Sequence, residues 1–186
     1  YEEPGLSPNR DYSNQHANER IDPFSGTLEL HYTDVNLPGN GGFNLQVTRS
    51  YNSNVASSYY ATTSGGAGND FAMGVGWSMH FGRVLKTKDT NICQHPLSVS
   101  NKDNPVLELP DGSRQMLVFT DDGQPLAMTQ QFWRMECMSG ASGAVVYSPD
   151  GTRYEMTAQY NVGTAIHAAN VWYATRITDR NGNWAK

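Results

Sequence analysis

The chain has 186 residues, enough for one domain with a hydrophobic core of its own. Its net charge is −5 and no basic stripe stands out, so nucleic acid is not expected as a partner. No apolar run approaches the ~18 residues that a membrane-spanning helix needs. Eighteen glycines and ten tyrosines indicate many short strands and turns.

The chain begins with a polar stretch that shows no periodicity. Residues 1–20 carry few apolar side chains, and we expect a flexible N-terminal lead-in there. A β-rich domain is expected to occupy 21–186. Both ends look like the ends of an excised piece, so we expect the chain to be part of a longer polypeptide.

A β-hairpin opens the predicted domain. Apolar residues alternate with polar ones on both sides of the glycine-rich turn at 38–42: Leu28, Leu30 and Tyr32 before it, Phe43, Leu45 and Val47 after it. Period-two alternation is typical of a strand with one buried and one wet face. We therefore predict that the apolar set is buried and that the intervening polar set faces solvent.

Further strands follow the hairpin in chain order. A third strand is predicted at 77–85, with Trp77, Met79 and Phe81 in phase on a core-facing side. Later strands are predicted at 106–109, 115–119, 144–147, 154–156 and 171–177. Two turns, PDGSR at 110–114 and PDGTR at 149–153, are near copies, and Asp-Gly is a strong hairpin signal. The fold class predicted is all-β, an antiparallel β-hairpin meander forming a curved or two-layered sheet.

These segments together resemble the N-terminal opening segment of RHS/YD-repeat proteins. The matching stretches are DPFSGTLELHYTDVNLPGNGGFNLQVTRSYNS at 22–53, GVGWSMHFGRV at 74–84, LELPDGSRQ at 107–115, YSPDGTRYEM at 147–156 and TRITDRNGN at 175–183. Their order is that of the family, which includes bacterial polymorphic toxins, cocoon components of insecticidal toxin complexes and animal teneurins.

The resemblance implies a function through architecture. The chain would be a non-catalytic structural segment that begins the β-shell of an RHS/YD-repeat protein enclosing a toxin or cargo polypeptide. The expected partners are the remainder of its own RHS polypeptide and the enclosed cargo. A bacterial, secreted or cell-surface location is expected. Few complete Tyr-Asp-x-x-Gly-Arg repeats are present, so this piece alone would not close a shell. Strand edges without partners are expected near Trp184, which predicts an edge-strand dimer.

No catalytic residue, metal site or cofactor is predicted, and we do not expect an enzyme. The histidines lack metal-ligand spacing, and His31 and His80 fall on the polar faces of their strands, which predicts solvated side chains. Asp179-x-Asn181-x-Asn183 shares part of a calcium-loop pattern but lacks the later glutamate. It is interpreted as a turn.

A free-standing extracellular binding module, with a carbohydrate or protein ligand, is the alternative function. Its candidate contact residues are Tyr59, Tyr60, Trp133 and Trp172. Core packing is the competing interpretation for strand aromatics. Trp172 is out of phase with Val171 and Tyr173, so either one of these sets faces out or both faces of the strand are covered.

The two cysteines, Cys93 and Cys137, form an even pair in a strand-rich chain that the resemblance places outside the cell. A disulfide between them is predicted, which would pin a long loop to the sheet. Two independent buried thiols are the alternative.

Overall fold

The computed structural model describes residues 18–21, 26–53, 73–87, 91–93, 104–120, 126–162 and 169–186. These residues confirm the all-β antiparallel prediction. The strands are β1 Glu19–Ile21, β2 Leu28–Leu37, β3 Leu45–Asn52, β4 Trp77–Met79, β5 Arg83–Thr87, β6 Val106–Glu108, β7 Arg114–Met116, β8 Val118–Phe119, β9 Leu126–Met128, β10 Arg134–Cys137, β11 Ala144–Tyr147, β12 Arg153–Val162, β13 Ala169–Thr178 and β14 Trp184–Ala185. Short 3-10 turns occur at Asn40–Gly42 and Ser139–Ala141.

Four strands form the first sheet, in the order β1-β2-β3-β4. The predicted hairpin is its centre, because β2 and β3 pair along most of their length. A register shift between Thr33 and Val35 leaves Asp34 unpaired, which is a β-bulge. The extra residue moves Val35 and Leu37 to the face that carries Leu30 and Tyr32. All the large apolar residues of the hairpin therefore share one face.

The predicted apolar set is half-buried, and no side chain of its face belongs to the hydrophobic core cluster. Farther along the same face, Val35 is 43 % exposed and Leu37 52 % exposed. On the polar face, Asn44 and Gln46 are exposed as predicted, whereas Ser50 is only 4 % exposed and packs against the second sheet. A Cβ added at Gly112 of the second sheet would lie 3.0 Å from the Ser50 hydroxyl. The two sheets thus meet through polar side chains.

The second sheet has ten strands and is nearly closed like a barrel. Its order is β7-β6-β5-β13-β12-β11-β10-β9-β8, with β14 added to the end of β13. The two edges, β7 and β8, are separated in the chain by Leu117 alone. Residues 115–119 are predicted as one strand, but the structure divides this run. Its first half, β7, pairs with β6, and its second half, β8, pairs with β9. This sharing brings the two ends of the sheet together.

The predicted third strand, 77–85, is not continuous. It is divided at 80–82 into β4 of the first sheet and β5 of the second. Gly82 has a φ of +115°, a conformation open to glycine that bends the chain away from β3. The core prediction for the first part is also wrong, since Met79 is 49 % exposed. Trp77 stacks on Tyr51, with ring centroids 5.3 Å apart, on the outer face of the first sheet.

The hydrophobic core lies inside the second sheet. Its cluster is Val84, Ile92, Leu107, Leu117, Phe119, Ala127, Met135, Ala144, Val146, Met156 and Trp172. Val171 and Trp172 are 0 % and 2 % exposed, so both faces of β13 are covered here. The alternation around Trp172 allowed either one exposed set or a strand covered on both faces, and the structure shows the second arrangement.

Four turns of the second sheet share one geometry. In each, the first residue donates its backbone N–H to the carbonyl of the fifth: Leu109 to Ser113, Thr129 to Trp133, Ser148 to Thr152 and Asp179 to Asn183. The fourth residue has a positive φ, and it is glycine in three turns. The turn at 129–133 has Phe132 there, with a φ of +64° and 74 % exposure. Its sequence has no Asp-Gly, so only the structure revealed it as the same turn.

The predicted disulfide between Cys93 and Cys137 is confirmed, with 5.8 Å between the Cα atoms. It fastens residues 91–93 to β10. Ile92, beside the bridge, is completely buried in the core cluster. The disulfide therefore closes a loop and also holds the buried Ile92 side chain in the core.

At its C-terminal end, the described chain has the edge predicted near Trp184. β14 pairs with the last residues of β13, and within the described ranges no strand pairs with its other side. Trp184 is 58 % exposed. An edge-strand dimer stays a prediction. β1 includes Glu19 and Arg20 of the predicted lead-in, while residues 1–17 lie outside the described residues.

Removing the disulfide should lower stability substantially. The bridge closes a loop over a sequence separation of 44, worth about 4 kcal/mol in the chain-entropy model. We expect Cys93→Ser with Cys137→Ser to lower the free energy of unfolding by a few kcal/mol in urea titrations, and reductant to do the same to the wild type. Reductant should not change the double variant. Two alkylatable thiols in the unreduced wild type would contradict the bridge.

Phe132 should be a source of backbone strain. A side chain in the left-handed region costs roughly 1–2 kcal/mol, which glycine avoids. Phe132→Gly should therefore have a free energy of unfolding about 1 kcal/mol higher than Phe132→Ala. The alanine variant is the matched control, because both lose the exposed ring. Equal thermal and urea stability of the two variants would show that the turn stores no strain.

Candidate functional site

A buried charged cluster around Glu108, at the end of β6, binds the link between the two sheets to the second sheet. Glu108 Oε1 accepts hydrogen bonds from His80 Nε2 at 2.9 Å and from Arg83 Nη2 at 2.8 Å. Its other oxygen, Oε2, accepts one from Arg114 Nε at 2.6 Å. Glu108 is 2 % exposed and Arg83 3 % exposed. Both carboxylate oxygens are thus bound by donors from three chain segments.

His80 was predicted to be solvated, and this is wrong. It is 7 % exposed and lies in the link between β4 and β5. Its Nδ1 accepts the backbone N–H of Gly82 at 3.0 Å, so Nε2 carries the proton that is donated to Glu108. The imidazole therefore fixes the bend that carries the chain from the first sheet to the second. His31 is half-buried on the polar face of β2.

The charge of Glu108 is stabilised by its surroundings. Burial by itself raises the pKa of this carboxyl, but the hydrogen bond from His80 and the positive charges of Arg83 and Arg114 outweigh it and lower the pKa to about 2. The carboxylate remains ionised near neutral pH. With its oxygens bound in this way, Glu108 holds the link between the sheets against β5 and β7.

A groove of about 490 Å³ lies beside this cluster, between the two sheets. One wall is the start of β3, including Asn44, Gln46 and Thr48. The opposite wall is formed by the turns at 148–152 and 179–183. These turns are packed together, since a Cβ at Gly151 would lie 3.5 Å from Arg180 Cβ.

Asp150 and Tyr154 place polar groups on the groove wall. Asp150 Oδ1 accepts a short hydrogen bond from the Ser148 hydroxyl and another from the Thr152 N–H at 3.0 Å. These bonds lower the pKa of Asp150, with the Ser148 bond the largest cause. Burial, followed by the negative charge of Asp150, raises the pKa of Tyr154. The groove wall therefore carries one ionised acceptor and one protonated hydroxyl.

Asp179, in the adjacent turn, is used locally. Its Oδ1 accepts the backbone N–H groups of Asn181 and Asn183, at 2.9 Å and 2.7 Å. Its Oδ2 accepts the Asn183 amide at 2.8 Å. Asn183 also donates to the Asn40 carbonyl at 3.2 Å, which ties this turn to the first sheet. The segment is therefore a turn that contacts the other layer, as its sequence indicated.

Of the predicted contact residues, the structure describes Trp133 and Trp172, which lie against and within the hydrophobic core. Tyr59 and Tyr60 lie outside the described residues. Trp133 is half-buried and packs against Tyr154, with ring centroids 5.7 Å apart. Trp172 is 2 % exposed in the core, which leaves neither face of its ring open to a ligand. The tryptophans do not form a stacking platform.

Within the described residues, no three His, Cys, Asp or Glu side chains lie together in a way that could hold a metal ion. Those residues also contain no helix with the length and hydropathy to cross a bilayer.

Sequence reasoning missed the central role of Glu108 and Arg83. Both are charged residues next to apolar strand positions, and neither shows a motif. Their spacing of 25 positions becomes a contact only because β5 and β6 pair, with Arg83 opposite Glu108. The one sequence feature that could have indicated this cluster was His80, which stands two residues before Gly82 in the alternating run from Trp77.

Comparison with protein families gives one match. The model of a domain of unknown function, DUF6531, matches residues 18–124, more than half of the chain. The match covers the first sheet and the strands that contribute Arg83, Glu108 and Arg114 to the buried cluster. A search of curated proteins finds no match.

Glu108 should be essential to stability. Glu108→Gln would leave Arg83 buried without its full counter-charge, and breaking a buried pair typically costs 3–5 kcal/mol. We expect a loss of roughly that size in the free energy of unfolding. Glu136→Gln is the control, because the Arg134–Glu136 pair is nearly half exposed and should be worth at most about 1 kcal/mol. If Glu108→Gln and Glu136→Gln lowered the free energy of unfolding equally, the buried cluster would not be a main source of stability.

Acid should weaken the fold through the same carboxylate. The folded pKa of about 2 lies below the ordinary 4.5, so the stabilisation is complete above pH 4.5 and is lost as the pH falls toward 2. The shift corresponds to about 3 kcal/mol. Urea titrations of the wild type between pH 5 and 2 should show this loss, and Glu136→Gln should retain it. A flat wild-type profile would contradict the assignment.

Proposed function

This chain belongs to the DUF6531 family, whose function is unknown, and from that premise we propose that it is a non-catalytic structural segment that begins the β-shell of an RHS/YD-repeat protein. The shell would enclose a toxin or cargo polypeptide. In this proposal the partner of the chain is the remainder of its own polypeptide, and the chain turns over no substrate.

The observation that carries the proposal is the apolar face of the first sheet, which is partly exposed among the described residues. Val35, Leu37 and Met79 are exposed on this face. Its half-buried residues are Leu30, Tyr32, Leu45, Val47, Tyr51 and Trp77, and the Arg49 guanidinium lies over the Tyr32 and Trp77 rings. Large contiguous apolar patches on a protein surface mark contacts with another layer. In a shell wall, a sheet would pack one face against the neighbouring sheet and its other face against a further layer. The first sheet is consistent with such a position.

The way the chain is fastened also supports a structural role. The buried Glu108 cluster, the disulfide and the repeated turns all fix backbone positions. Disulfides persist in oxidising environments, which is consistent with an extracellular protein. On this basis we propose a secreted or cell-surface location in a bacterium.

The test is made in the full-length parent protein. Val35→Lys with Leu37→Lys would put two charges on the apolar face, where burial against another layer is expensive. We expect the parent to become cleavable by added protease at sites that the wild type protects. The isolated chain should keep its melting temperature, because both side chains are about half exposed.

Gln159→Lys, at an exposed polar position of β12, is the control and should leave protection unchanged. Full protease resistance of the Val35 and Leu37 variant would overturn the proposed packing. A turnover activity lost with His80→Gln while the fold is retained would overturn the non-catalytic role.

A further inference from the structure

The groove between the sheets has the size of a small-ligand site. Its volume of about 490 Å³ falls within the 300–1,000 Å³ typical of such sites. It lies between the start of β3 and the turns at 148–152 and 179–183. The structural role proposed above makes no use of it.

The groove offers hydrogen-bonding groups that are not fully used in hydrogen bonds among the described residues. The Tyr154 hydroxyl makes no hydrogen bond with the described residues, although its ring is half-buried. Asp150 engages Oδ1 in its turn, and a carboxylate has sites for about four hydrogen bonds. Asp150 also has a fixed position, since two donors hold it. An acceptor, and a hydroxyl that both donates and accepts, in the lining of one groove suit a ligand with several hydroxyl groups.

The rest of the lining combines apolar residues and uncharged polar residues with few charges. Phe81, Pro110 and Ile177 supply apolar surface, and aromatic rings can lie against the C–H face of a sugar. Arg180 places one positive charge beside Asp150, while the Asp179 carboxylate is bound by its own turn. A strongly charged ligand would find no matching cluster here.

We propose that this groove binds one unit of a neutral saccharide, with Asp150 and Tyr154 hydrogen-bonded to its hydroxyl groups. This site differs from the tryptophan platform that the sequence suggested. It would add a ligand-binding activity to the structural segment, and it does not depend on the shell proposal.

The experiment uses the purified chain on an array of immobilised neutral glycans built from glucose, galactose, mannose and N-acetylhexosamines. The best glycan is then titrated by calorimetry and against ¹⁵N-labelled protein. We expect binding, with amide shifts at Gly41, Gly42 and Thr152. Absence of binding across the array, or preference for sulfated or sialylated glycans on a companion array, would overturn the proposal.

Tyr154→Phe is the decisive variant, because it removes the hydroxyl and keeps the ring that packs on Trp133. It should weaken binding at least tenfold without changing the melting temperature. Asp150→Asn should weaken binding similarly while its amide oxygen preserves the turn. Tyr160→Phe, at an exposed tyrosine outside the groove, is the matched control and should bind as the wild type does. Unchanged affinity in Tyr154→Phe would place the ligand elsewhere.

Discussion

The buried carboxylate of Glu108 is the constraint on which the path of the chain from the first sheet into the second depends. An ionised group removed from water is tolerated only when its charge and lone pairs are matched. Here the donors come from the link after β4, from β5 and from β7, so satisfying one carboxylate positions three segments at once. His80 adds directionality, because its second nitrogen is occupied by the Gly82 N–H.

A polar joint has consequences for both sides of the first sheet. Since the polar face makes the contact, the apolar face of the hairpin is left outward, with Leu37 and Met79 about half exposed. On the polar side, the sheets do not close into a dry interface along their full length, and the groove beside Asp150 results. The proposed wall contact and the proposed saccharide site thus both follow from the packing of the polar face of the first sheet against the second sheet.

Much of the local structure could be predicted because it depends on near neighbours. The alternation around 38–42 indicated the β2–β3 hairpin, and Asp-Gly indicated the turns at 110–114 and 149–153. The cysteine pair indicated the bridge that pins Ile92 into the core. The turn around Phe132 escaped detection, because a tertiary scaffold holds a residue there in a conformation that its own preference disfavours.

By itself the sequence determined the all-β class, most of the hairpins and the disulfide, since strand periodicity and turn chemistry act over a few residues. It also showed that the hairpin has two chemically different faces. Which face is covered was decided only by the tertiary structure, as were the division of 77–85 between two sheets, the closure through Leu117 and the burial of His80. Periodicity specifies which residues lie together, whereas the surface they meet depends on partners such as Arg83 and Glu108 that are distant in the chain.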